Sequence, residues 1–422
     1  MENITNVRLM VTGSQAFVIK TDGTVWGWGN NIYGQIGDGT KEARSTPVKV
    51  IGLTDVTNVV SGANATIALK NDGTVWAWGS NFQGEFGNGT GGLAEVQYTP
   101  AKINGLADVT TIGGSNNSSF YAIKEDGTLW TWGCQANKII DHSLLTCPTL
   151  ESPHLPTQIS GFSDVVDFQS RTAASLLDSF YVLESDGVAW AWGNNFLGQL
   201  GNGTNSNKIS PHGVTGTDRD TPEQVAGLTD IKNITSVNTT SGIAVFAFKK
   251  DGTVWAWGDN SNNQLGSELT TVTVDKPTQM IGLTGSIKIS TSIFHSLALK
   301  NDGTVWAWGW NNLSGAIGVG TGAPMDMFTS IPTPVQLVGL SDIVDIHAGV
   351  ATSYALKGDG TIWGWGSGSL KDGVESDRYP NPIQICNLPG ITNIVPGSGS
   401  SLYLLRNDGT VWNAYFDGRT QL

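Results

Sequence analysis

The sequence predicts an all-β fold, a β-propeller of four-stranded antiparallel blades, from three observations. The peptide DGTVWAWG, or a close variant, recurs eight times, beginning at Asp22, Asp72, Asp126, Asp186, Asp251, Asp302, Asp359 and Asp408. The copies lie about 50 to 65 residues apart, the interval of propellers and repeat arrays rather than of unrelated domains. Between copies the chain offers short β-branched and aromatic runs punctuated by turn residues, with no useful length of helical periodicity.

The second unit shows each element in order. Val56-Thr-Asn-Val-Val60 is a β-branched run and reads as strand A, followed by a small polar turn, Ser61-Gly-Ala-Asn64. Thr66-Ile-Ala-Leu-Lys70 reads as strand B, too apolar for one face to be wet. Asn71-Asp-Gly73 is a hairpin signal, because glycine tolerates the positive φ of a tight reversal. Strand C is Thr74-Val-Trp-Ala-Trp78, whose alternation puts Trp76 and Trp78 on one face and Val75 and Ala77 on the other. The loop from Asn81 to Thr90 leads to strand D, Pro100-Ala-Lys-Ile-Asn-Gly-Leu106. A proline opening that strand suits an outer edge.

A four-stranded sheet with two apolar faces gains too little from burial to offset the ordering of its own chain. Its faces must stack on neighbouring sheets, and radial stacking closes into one propeller domain over residues 1–422. The order A–B–C–D then puts the A–B and C–D loops on one face of the disc and the B–C and D–A turns on the other. The turn face is monotonous. The loop face carries the divergent stretches Cys134–Pro156, Asn205–Thr221, Trp310–Pro334 and Ser367–Pro382.

Composition narrows the partners. A formal net charge of −13 disfavours nucleic acid and anionic membrane surfaces, and no Lys/Arg run offsets it. No apolar segment approaches membrane-spanning length, and the start, Met-Glu-Asn-Ile-Thr, shows no secretory signal, so a cytoplasmic monomer is expected. Three cysteines, Cys134, Cys147 and Cys386, are too few for a disulfide framework; Cys134 and Cys147 share one segment, but reduced thiols are the default.

The segment Ser296-Leu-Ala-Leu-Lys-Asn-Asp-Gly-Thr-Val-Trp-Ala-Trp-Gly309, with loops of the type Asn194-Asn-Phe-Leu-Gly-Gln-Leu-Gly-Asn-Gly-Thr204, resembles the repeats of the regulator of chromosome condensation (RCC1) family, and its bacterial members most of all. The resemblance spans essentially the whole chain. It implies a propeller usually of seven blades, one closed by strands from both chain ends. Here eight A–B–C segments are counted, and Arg419-Thr-Gln-Leu422 resembles the opening of a strand D (compare Pro277-Thr-Gln-Met280). Eight blades are therefore favoured, with seven plus a displaced unit as the alternative.

No catalytic, cofactor or metal site is predicted. Cys134, His142, Cys147 and His154 have metal-ligand residue types, but their spacing matches no zinc pattern. Gly318-Val-Gly-Thr-Gly-Ala323 formally fits a dinucleotide fingerprint, yet Pro324 and the loop-like stretch after it offer no helix to receive a pyrophosphate. His295 is expected to bond structurally. The polar strand A residues Asn58, Thr111, Asp167, Asn233, Asp345 and Asn393 share one register and cap turns or line the channel. Fifteen of the 16 tryptophans belong to strand C pairs, and the GWRHT-like motif of the plant ultraviolet receptors in this family is absent.

The expected function is a non-enzymatic scaffold that presents its loop face to a protein partner. Tyr33, Phe82, Phe196 and Trp310 are candidate loop-borne anchors, with His212 and Met325 in the divergent loops. The same aromatics also suit packing of each C–D loop onto the next blade. Guanine-nucleotide exchange on a small GTPase, implied by resemblance to the nuclear family member, and inhibition of an enzyme, as by the bacterial β-lactamase inhibitor of similar architecture, are the alternatives.

Overall fold

The computed structural model describes residues 4–13, 15–92, 95–114, 119–133, 155–172, 178–205, 218–239, 241–266, 268, 271–311, 315–320, 330–367, 378–387, 390–396, 402–415 and 418–421. Their strands form eight antiparallel sheets of four, each taken from consecutive strands in chain order. Numbered as blades 1 to 8, these span residues 7–49, 56–102, 109–158, 165–224, 231–279, 286–336, 343–387 and 391–421. The protein is an eight-bladed propeller, and no helix occurs among the described residues. Blade 8 takes its fourth strand, Gly418–Gln421, from the C-terminal end, so no blade is shared between the chain ends. The seven-blade alternative is set aside.

In blade 2 the strands are Val56–Ser61, Ala65–Lys70, Val75–Ser80 and Val96–Lys102. Strand D begins four residues before the expected Pro100. The reason is a bulge: Ala77 pairs with Ala101 and Gly79 with Gln97, so the outer strand carries extra residues and Pro100 sits among them. A bulge on an outer edge needs no ladder donor at that position. A second bulge follows the first residue of strand A, between Val56 and Asn58, and the Asn58 side chain caps it by accepting from the Val59 amide at 2.8 Å. Asp345 does the same for Ile346. Capping thus accounts for these two members of the polar strand A register.

Both faces of each blade are buried, as the sequence requires. The second tryptophan of strand C is the latch between blades. Trp78, Trp132, Trp257, Trp308 and Trp365 are fully buried, and their indoles donate to the backbone carbonyls of Gln35, Glu85, Gln199, Gln264 and Ala316 at 2.7–3.0 Å. Each acceptor belongs to the C–D loop of the preceding blade. The loop glycine two residues on must lack a side chain: a Cβ on Gly37 (φ 79°) would lie 2.7 Å from Trp78 Nε1. The first tryptophan is half-buried, and in four blades a lysine at the end of strand B lies over it, as Lys300 does over Trp306 at 4.5 Å.

On the opposite face the Asp-Gly turn of one blade meets the start of strand A in the next. Asp22 accepts from the amide and hydroxyl of Thr24, at 2.9 and 2.7 Å, and the Gly23 carbonyl accepts from the Val56 amide at 3.1 Å. Asp55, just before that strand, is held at φ 58°. The ring closes with the same bond, from Val7 N to Gly409 O at 3.0 Å.

Candidate functional site

The loop face is built on a repeated brace. Asn31, fully buried, accepts from the Ile36 amide (2.9 Å), and its Nδ2 donates to the carbonyls of Thr40 (3.1 Å) and Glu42 (3.0 Å). Asn81 and Asn195 repeat this pattern on Phe86 and Thr90 and on Leu200 and Thr204, and Asn260 braces Leu265 and Thr271. Each brace ties the two ends of the loop's first turn together. The chain beyond the braced threonine is where the C–D loops differ, so the variable stretches rise from rigid mounts.

The anchor candidates fall unevenly on this frame. Tyr33 and Phe82 are half-buried against each other across the seam of blades 1 and 2, edge to face with ring centroids 5.0 Å apart. Phe196 is half-buried, and its neighbour Leu197 packs towards Gly242 of the next blade. Trp310 is the last residue of its strand, Val305–Trp310, rather than a loop residue, and stands edge to face with Phe294 at 5.0 Å. His212 and Met325 lie outside the described residues, as do Cys134, His142, Cys147 and His154.

No group of three or more His, Cys, Asp or Glu side chains placed to hold a metal ion occurs among the described residues. His295 is fully buried, with Nδ1 3.0 Å from Ser292 Oγ and Nε2 2.7 Å from Ser353 Oγ. Ser353 in turn donates to the Ala316 carbonyl at 2.8 Å, so the imidazole Nε2–H donates to the Ser353 oxygen and ties blade 6 to blade 7. Burial, reinforced by His347, pushes its pKa down to about 3. The ring is a neutral bridge between the two blades.

First strands of neighbouring blades exchange further polar contacts that sequence reasoning did not single out. Gln169 donates to the Ile234 carbonyl (2.8 Å) and accepts from the Ser236 amide (2.9 Å), while Arg171 Nε donates to the Ser236 carbonyl (2.8 Å). Asp167, beside Gln169, has its pKa raised by burial. Lys288 and Asp345 pair across blades 6 and 7 at 2.5 Å. Residues two apart on one strand project to the same side, so Gln169 and Arg171 reach the same neighbour. No helix among the described residues is long and apolar enough to cross a membrane.

This geometry agrees with the known proteins the chain is similar to. It is 25% identical over 404 residues to the ultraviolet-B receptor UVR8 of Arabidopsis thaliana, spanning 92% of this chain and 85% of the receptor. Yeast RCC1 (Prp20), solved bound to Kap60, superposes with a TM-score of 0.60 at 22% identity over 95% of this chain and 92% of that one. Prp20p from Saccharomyces cerevisiae, in a structure described with its binding to Gsp1p and histones, gives 0.59 at 22% identity over 92% and 91%. The Regulator of chromosome condensation (RCC1) repeat matches residues 22–69, 72–122, 186–244, 251–299 and 302–356, together more than half of the chain. With that repeat supplying the latch tryptophans and Asp-Gly turns at seam after seam, the chain belongs to the regulator of chromosome condensation (RCC1) repeat family.

Proposed function

We propose that this propeller is a non-enzymatic binding scaffold that presents the variable C–D loops of one face to a protein partner. The observation that carries the reading is the brace: Asn31, Asn81, Asn195 and Asn260 hold the base of each loop in one form, while the stretch beyond differs from blade to blade. A rigid mount lowers the entropy lost when a loop is captured. Yeast Prp20, of the same fold, is described as bound to Kap60 and as binding Gsp1p and histones, which supports protein recognition by this architecture. Phe196, His212, Trp310 and Met325 are the proposed contact residues, whereas Tyr33 and Phe82 also serve the seam between their blades.

The test replaces residues 205–221 and 321–329 with the short loop of blade 1 and compares capture of partners by the two proteins. The flattened variant is expected to keep its β-sheet circular dichroism and lose the partner. Equal capture by both proteins would remove the loop face from consideration. Nucleotide release from small GTPases, measured with the same pair, separates exchange activity from plain binding.

A further inference from the structure

We propose that the seam between blades 5 and 6, on the turn face and away from the variable loops, binds an oxyanion of the phosphate class through Lys232, Lys249 and Lys250. The first ground is a dislocation of the repeat. At the seams made by Gly23, Gly73, Gly127, Gly187, Gly303 and Gly409, the turn glycine's carbonyl accepts from the first residue of the next strand A, at 3.0–3.1 Å. At Gly252 the donor is Gly285, one residue earlier, and the amide and hydroxyl of Ser286 turn back to the Leu283 carbonyl. The sheets stand further apart in consequence. A Cβ placed on any of those six turn glycines would come within 3.1 Å of the facing backbone, but on Gly252 its nearest neighbour is Gly285 N at 3.7 Å.

The second ground is what fills the gap. The opened seam is a cleft of about 240 Å³, lined by Lys232, Lys249 and Lys250 with the amide side chains of Asn233 and Asn301. Five other seams place a positive-φ aspartate at the position of Gly285, namely Asp55, Asp108, Asp164, Asp230 and Asp342. Here that carboxylate is gone. Lys249 is also diverted. Its counterparts Lys20, Lys70, Lys124 and Lys300 lie over tryptophan rings, whereas Lys249 lines the cleft, 3.9 Å from Asp251. Asp251 and Asp302, the acidic side chains of the two flanking turns, are each held by a threonine, Thr253 and Thr304. Among the described residues no carboxylate lies within 4 Å of Lys232 or Lys250.

A cationic cleft in a protein of net charge −13 therefore arises where the repeat gives up both its register and its acid. Lysines supply compact, rotatable charges, which suit a tetrahedral oxyanion better than a planar carboxylate that favours the arginine fork.

The experiment is isothermal titration of the full chain with inorganic pyrophosphate at low ionic strength, with citrate as the carboxylate control. Saturable pyrophosphate binding is expected, weakened about tenfold or more in Lys232→Gln/Lys250→Gln, whose side chains are exposed. Gly285→Asp restores the carboxylate of the other seams and is expected to weaken binding similarly. Lys250→Gln alone serves if the double variant does not fold. Undetectable pyrophosphate binding, binding unchanged in the variants, or tighter binding of citrate would each overturn the assignment.

Discussion

The indole of Trp28 donates to the hydroxyl of Tyr403 at 3.3 Å, with the two rings edge to face and 5.7 Å apart. This pair joins the first blade to the last. At five internal seams the acceptor is a backbone carbonyl in a C–D loop, but in blade 8 strands C and D pair directly through Tyr415 and Gly418. A side chain from strand B takes the place of the missing loop.

Tyr403→Phe keeps the ring contact and removes the acceptor, leaving the Trp28 N–H without its partner. The expected loss is about 1 kcal/mol of unfolding free energy, read from urea denaturation. Tyr403→Ala removes the aromatic pair as well and should cost more. Equal stability of wild type and Tyr403→Phe would show that this hydrogen bond adds nothing to the ring contact.

The latch glycines differ in kind from the other glycines at positive φ. Gly37→Ala and Gly52→Ala both place a side chain at φ near 80°, a strain of about 1–2 kcal/mol. Only at Gly37 does the new methyl group also meet Trp78, while nothing lies within 4 Å at Gly52. Gly37→Ala is therefore expected to lower the thermal midpoint distinctly further, and similar midpoints would count against the latch as the tightest point of the seam.

Much of this was legible in the residues. The repeat, the eight blades, the Asp-Gly turns and the buried tryptophan faces follow from spacing, alternation and turn chemistry. The latch was not, because its acceptor is a main-chain carbonyl, which Ala316 supplies as well as Gln35, Glu85, Gln199 or Gln264, so the side chain at that position does not announce the bond. The early start of strand D was hidden for a similar reason, since a bulge is a property of two paired strands rather than of one. By contrast Gly285, standing where other units have aspartate, was a visible departure whose meaning depended on knowing that it faces Gly252. The loop face was legible as variable but not as braced.

Acid should weaken the fold well above the carboxylate range. His295 is buried neutral, with its pKa pushed down to about 3, and burial holds that of His347 at about 4. Unfolded, both take up a proton near pH 6.5. Below that value the unfolded state binds more protons, so stability falls with pH by about 1.4 kcal/mol per pH unit for each histidine until its folded pKa is reached. The turn aspartates, such as Asp72, act lower. The Thr74 hydrogen bonds depress its pKa, so its contribution is present above about pH 3.8 and is lost as pH falls through the folded value. Urea midpoints between neutral pH and about pH 5 should therefore decline, and less steeply in His295→Asn. An unchanged slope in that variant would exclude His295 as a source.

The pairing of Tyr33 with Phe82 allows seam packing and partner contact to be separated. Both rings are half-buried and touch across blades 1 and 2. A double-mutant cycle of Tyr33→Ala and Phe82→Ala in the free protein should yield a coupling of about 0.5–1.5 kcal/mol, the range of an edge-to-face pair. Phe196→Ala should add independently, because its blade is not adjacent to theirs. Zero coupling in the free chain would mean that the two rings only happen to lie side by side, and would leave both available as anchors. Coupling of the expected size assigns them to the seam, and any weakening of partner capture in Tyr33→Ala then reflects a loosened mount rather than a lost contact.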